Sequence, residues 1–156
     1  MPEPSSVLIV ANRTAVAERL LDAVKRRAQA GPAHFHLVVP ATPRGLHRVV
    51  DPEVTGGEEA TAQLERALPL LSAAAGSEVT GRVGVADPVA AIHDALGERP
   101  SCDELIISTL PRRMSRWLHI DLPSKARGFG VPVTHVEAHA RSDAAEAPEQ
   151  RSAVAV

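Results

Sequence analysis

Val7–Val10, "VLIV", is a run of four branched apolar residues with no polar position in it. Successive side chains of a strand point to opposite faces of a sheet, so a strand built from this run has no side that tolerates water. It must be covered above and below, which favours an interior strand of a parallel sheet with helices on both faces.

The rest of the chain supplies partners for such a strand. From Thr14 the period changes. Val16, Leu20, Val24 and Ala28 recur every fourth residue, with Glu18, Arg19, Lys25 and Arg26 between them, an amphipathic helix closed by Gly31-Pro32. His34–Val39, "HFHLVV", is a second strand, stopped by Pro40. Residues 41–57 hold no sustained period and are punctuated by Pro and Gly; a connection that long is usually functional or mobile. A second helix is expected from about Glu58 to Gly76, kinked at Pro69. In "EVTGRVGV", Val79, Val83 and Val85 alternate with Thr80 and Arg82, as in a strand with one wetter side at a sheet edge. Asp87-Pro88 opens a third helix as N-cap and first helical residue, and Gly97 closes it. Leu105–Ile107 form a fourth strand, "SKARGFG" a short helix, and "VPVTHVEA" a fifth strand whose Pro132 suits an edge. Strands and helices therefore alternate, which predicts an α/β fold with a doubly wound five-stranded parallel sheet and helices on both faces. Residues 1–140 form this domain. Residues 141–156, Ala-, Glu- and Ser-rich without periodic apolar positions, are expected to be a disordered tail.

Charge and composition narrow the partners. A net charge of −2 offers no basic surface for nucleic acid or acidic membranes, and 2% aromatic residues leave little for base stacking. No charged N-terminal region precedes a long apolar stretch, and no run approaches the roughly 18 apolar residues of a membrane span. The expectation is a cytoplasmic protein. Its single cysteine, Cys102, reads as a small residue entering a strand.

Ligands in doubly wound sheets sit beyond the carboxyl ends of the strands, where strand order reverses. Two stretches fall there. "ANRTAV" follows the first strand and contributes Asn12 and Arg13. "STLPRRMSRWLHIDLP", Ser108–Pro123, follows the fourth and contributes Ser108, Thr109, Arg112, Arg113 and Arg116, with no glycine. Guanidinium groups bind phosphate bidentately, so these arginines read either as an anion clamp or as solvated loop residues paired with carboxylates. Met114, Trp117 and Leu118 fall at helical spacing and are expected to anchor the segment on the core. His34 and His36 share a strand face, but two ligands without a third make no metal site.

Taken together, the element order, "GVADPVAAI" (Gly84–Ile92) and the pairing of "DELIIST" with "VPVTHV" resemble the universal stress protein family across about residues 5–138. The resemblance implies strand order 3-2-1-4-5 and a homodimer formed by antiparallel pairing of the fifth strands through Val131, Val133, Thr134, His135 and Val136. Nucleotide-binding members of the family carry a Gly-x2-Gly-x9-Gly-Ser/Thr loop after strand four. Those four positions fall here on Ser108, Pro111, Asp121 and Leu122, and Asn12 stands where an Asp near the adenine is frequent. Asp121 is expected to cap the helix beginning at Leu122-Pro123 with its carboxylate, in the place of a phosphate.

No Ser-Gly-Gly-x-Asp-Ser loop, His-x-Gly-His pair or Gly-x-Ser-x-Gly elbow is present, and slow ATP hydrolysis lacks a nameable water-activating residue. The leading reading is thus a non-enzymatic, dimeric module in stress response or signalling, with a degenerate phosphate loop, no family-style ATP binding and no required cofactor. The alternative is a sensor of ATP, another adenine nucleotide or a small phosphate ligand, built on Arg112, Arg113 and Arg116 with Arg13 and Asn12.

Overall fold

The computed structural model describes residues 3–42, 52–99 and 101–139. Most of the irregular stretch at 41–57 and the whole expected tail at 141–156 lie outside them.

In chain order the elements are β1 (Ser5–Val10), α1 (Glu18–Ala30), β2 (Ala33–Pro40), α2 (Pro52–Ala75), β3 (Thr80–Gly84), α3 (Pro88–Glu98), β4 (Glu104–Thr109), α4 (Arg116–His119), α5 (Leu122–Arg127) and β5 (Val133–Glu137). They build one parallel sheet in the order β3-β2-β1-β4-β5, as the resemblance implies. Val7–Val10 are wholly buried at its centre, with Ile9 facing Leu37 on one side and Ile106 on the other. Removing those side chains from water contributes on the order of 1.5–3 kcal/mol each, which is why this strand takes the middle.

Two cores lie on the two faces. Val7, Ile9, Leu37 and Val39 pack with Leu20 and Val24 of α1 and with Ala60, Ala67 and Leu71 of α2. Leu8, Val10, Leu105 and Ile107 pack with Ala91, Ile92 and Ala95 of α3, Trp117 of α4, and Leu122 and Ala126 of α5. The edge assignment of the third strand holds, and Val85 just beyond it is 49% exposed. Asp87 caps α3 as expected, its Oδ1 accepting the Val89 N–H at 3.3 Å with Pro88 in the first turn.

Several boundaries differ from the sequence reading. Helix α1 begins at Glu18 rather than Thr14, because residues 14–17 turn first: the Ala15 N–H reaches Asn12 O at 3.1 Å and the Ala17 N–H reaches Thr14 O at 3.0 Å. Helix α2 starts at Pro52, six residues before Glu58, and runs through Pro69 to Ala75. Proline at the first helical position is pre-set for helix, and burial of Gly56 and Ala60 extends the packed face to that end. Strand β5 begins at Val133, so Val131 of the expected strand precedes it. Among the described residues no helix is long and apolar enough to cross a membrane.

Candidate functional site

Strands β2 and β4 flank β1, and the chain leaves β1 and β4 toward opposite faces of the sheet, so a crevice opens between their carboxyl ends. A cleft of about 150 Å³ lies there, lined by Asn12, Arg13 and Thr14 after β1, Thr42 after β2, Ser108–Leu110 at the end of β4, and Met114–Trp117 at the start of α4. Five of the seven residues expected at the site, Asn12, Arg13, Ser108, Thr109 and Arg116, therefore meet around one space. Arg112 and Arg113 do not line it; both are exposed in the turn that closes with the Met114 N–H on Pro111 O at 2.8 Å. The turn points those two side chains to solvent, so of the three arginines expected to clamp an anion Arg116 alone lines the cleft, together with Arg13.

Hydrogen bonds organise the floor and sides. The Thr14 and Ser108 hydroxyls lie 2.6 Å apart, both buried, and bolt the β1 connection to β4. Asn12 is nearly buried, and its Nδ2 donates to Pro40 O at 2.7 Å. That bond orients the amide and leaves its carbonyl oxygen as an acceptor. Thr42 Oγ1 donates to Ala86 O at 2.7 Å, tying the β2 exit to the turn before α3. Ser115 caps α4, its Oγ accepting the Leu118 N–H at 3.2 Å. Thr109 Oγ1 lies 2.8 Å from Nε2 of His135 on β5. Burial lowers the His135 pKa from its ordinary value, which favours the neutral imidazole.

Trp117 forms one wall, and it also belongs to the core beneath, as its spacing suggests. Met114 does not anchor the segment: it is 46% exposed at the rim. Among the described residues the lining contains no carboxylate and no imidazole. Elsewhere, His36 Nδ1 is 2.8 Å from Thr80 Oγ1, and burial, then Arg99 and Arg82, lower its pKa. No third ligand joins His34 and His36 among the described residues.

The positions of the family's phosphate loop can now be placed. Ser108 spends its hydroxyl on Thr14. Leu122 is fully buried in the second core, where a hydroxyl donor would be misplaced. Asp121 corrects the capping expectation, for its carboxylate accepts no helix N–H. Instead its backbone sits at φ 57, ψ 46, in the left-handed region, and its carbonyl accepts the Lys125 N–H at 3.1 Å. Glycine adopts that conformation without strain. Asp121 is the one non-glycine residue in that region among the described residues. Thr14, Thr42, Leu110, Met114 and Trp117 are lining residues that sequence reasoning did not assign to the site, whereas Ser115 is a hydroxyl donor that the arginine-bearing stretch offers it. Only Trp117 and Met114 carried a signal, their helical spacing.

No family model and no curated protein matches the chain. Solved structures do. A universal stress protein in complex with cAMP shares 21% identity and a TM-score of 0.58, over 86% of this chain and 98% of that one. The universal stress protein from Archaeoglobus fulgidus in complex with dAMP shares 20% identity and a TM-score of 0.52, over 89% and 100%. A protein of the universal stress protein family from Burkholderia pseudomallei shares 18% and 0.58, over 85% and 95%. The chain has the universal stress protein fold.

The Asp121 geometry makes opposite predictions from a side-chain cap. Asp121→Gly should leave urea stability within about 0.5 kcal/mol of the parent, since relief of left-handed strain offsets the added freedom of the unfolded chain. Asp121→Val should cost about 1–2 kcal/mol. A loss of about 1 kcal/mol or more in Asp121→Gly would mean the carboxylate does cap the helix.

Proposed function

We propose that this chain is a non-enzymatic, dimeric module in stress response or signalling whose cleft binds a small adenine nucleotide, a nucleoside monophosphate or its cyclic form. It does not bind Mg²⁺-ATP in the family's manner. The observation that carries this reading is the meeting of Asn12, Thr109, Arg13 and Arg116 around one cleft walled by Trp117.

Size and chemistry support the choice of ligand. Clefts that enclose drug-sized molecules span roughly 300–1,000 Å³, so about 150 Å³ holds only part of a nucleotide. A base against Trp117 and Leu110, with its polar edge toward the Asn12 carbonyl, would leave its phosphate at the mouth, between the exposed Arg13 and Arg116. A triphosphate finds less here. Pro111 has no N–H to offer, Leu122 has no hydroxyl, and among the described residues the lining has no carboxylate to hold Mg²⁺. Among the described residues of the lining no carboxylate or imidazole is placed as a general base for hydrolysis. The solved neighbours with cAMP and dAMP agree with an adenine monophosphate as ligand.

Calorimetric titration tests this directly. AMP or cAMP should bind saturably, and Arg13→Ala and Arg116→Ala should each weaken binding about tenfold, the loss of one charge-assisted contact. Absence of binding by both nucleotides, or tighter binding of Mg²⁺-ATP than of AMP, overturns the reading.

Dimerisation rests on β5, which lies at the sheet edge with one row of backbone groups facing outward. Val133, Thr134, His135 and Val136 of the expected interface lie in this strand. Light scattering should give twice the chain mass. Thr134→Lys, at an exposed position, should give monomers with unchanged circular dichroism, since like charges would meet across the symmetry axis. A monomeric parent protein would refute the dimer.

A further inference from the structure

The wall of the cleft between β4 and α4 is a segment without glycine or regular structure, Leu110–Ser115, and Leu110, Met114 and Ser115 of it face the cleft. A hydrogen bond ties its middle to another element: the Arg112 backbone N–H donates to Oε1 of Glu137 at 2.9 Å. Glu137 is itself held from several sides. It pairs with Thr109 in the β4–β5 register, and its carbonyl accepts Nη1 of Arg19 on α1 at 2.9 Å. The next residue, Ala138, donates its N–H to Thr109 O at 2.9 Å, and His135 two residues earlier contacts the Thr109 hydroxyl. A residue whose backbone is fixed to β4 and α1 thus holds, through its carboxylate, the turn that shapes the outer wall.

We propose that Glu137 is a positioning residue for the ligand cleft, holding the Leu110–Ser115 wall through the Arg112 backbone N–H, so that the edge strand β5 sets the binding competence of the site. This rests on the nucleotide reading above for its functional consequence, though not for the contact itself. Arg112 serves through its main chain, and its guanidinium is dispensable. The bond is exposed and contributes little to global stability. Its effect falls on the population of the wall in its binding geometry, and affinity scales with that population.

The contact can be broken from either end. Glu137→Ala removes the acceptor, whereas Glu137→Gln keeps an oxygen. Arg112→Pro removes the N–H at the second position of the Pro111–Met114 turn, where proline is favoured, whereas Arg112→Ala keeps it. Glu137→Ala and Arg112→Pro should each weaken AMP binding about fivefold, with melting temperature little changed; Glu137→Gln and Arg112→Ala should bind within about twofold of the parent. Without ligand, the first pair should speed amide exchange across residues 110–118 and the second pair should not. Unchanged exchange in Glu137→Ala overturns the proposal whether or not nucleotide binds. Faster exchange with unchanged affinity overturns it as well, since the wall would then not shape the site. If the parent binds no nucleotide, the reading of the previous section fails, and exchange alone decides whether Glu137 positions the wall.

Discussion

The structure depends on burying β1 completely. Val7, Leu8, Ile9 and Val10 leave no side chain for water, so this strand needs a helical layer on each face and a strand on each edge. With β2 on one side and β4 on the other, one connection serves the α1–α2 layer and the next serves α3–α5. Right-handed crossovers then diverge at the carboxyl ends of β1 and β4, and the crevice between them is a by-product of covering the central strand. Four apolar residues thereby decide where a ligand can sit.

What fills that crevice is a separate matter from the backbone that forms it. At Asp121 the chain keeps a left-handed turn suited to glycine. At Ser108 and Thr14 two hydroxyls satisfy each other where backbone groups could otherwise meet phosphate. Leu122 is fully buried in the core. The guanidinium groups of Arg13 and Arg116 line the mouth, where the proposed phosphate would sit. Guanidinium groups on long side chains suit one exposed phosphate better than a buried chain of three with its metal.

The fold was largely legible because its signals are periodic: the unbroken apolar runs of β1 and β4, the four-residue recurrence along α1, the Asp87-Pro88 cap. Boundaries failed where local signals conflict. The start of α2 at Pro52 was hidden because proline and the glycines near it also mark loops, and packing decided between the two. At the site, Asn12, Arg13, Ser108, Thr109 and Arg116 were found from their place after β1 and β4. The Thr14–Ser108 and Arg112–Glu137 contacts link residues 94 and 25 apart, and no local pattern announces them. The outward turn of Arg112 and Arg113 is likewise set by a backbone hydrogen bond that residue type does not reveal.

The cleft carries its own reporter. Trp117 is the chain's one tryptophan, there is no tyrosine, and its ring walls the proposed nucleotide site. Titrating AMP against Trp117 fluorescence measures occupancy of this cleft and nothing elsewhere. The account predicts a saturable change in intensity or wavelength that is abolished or shifted to higher concentration in Arg116→Ala. Fluorescence that stays constant while calorimetry records nucleotide binding would place the ligand outside the cleft and contradict the account.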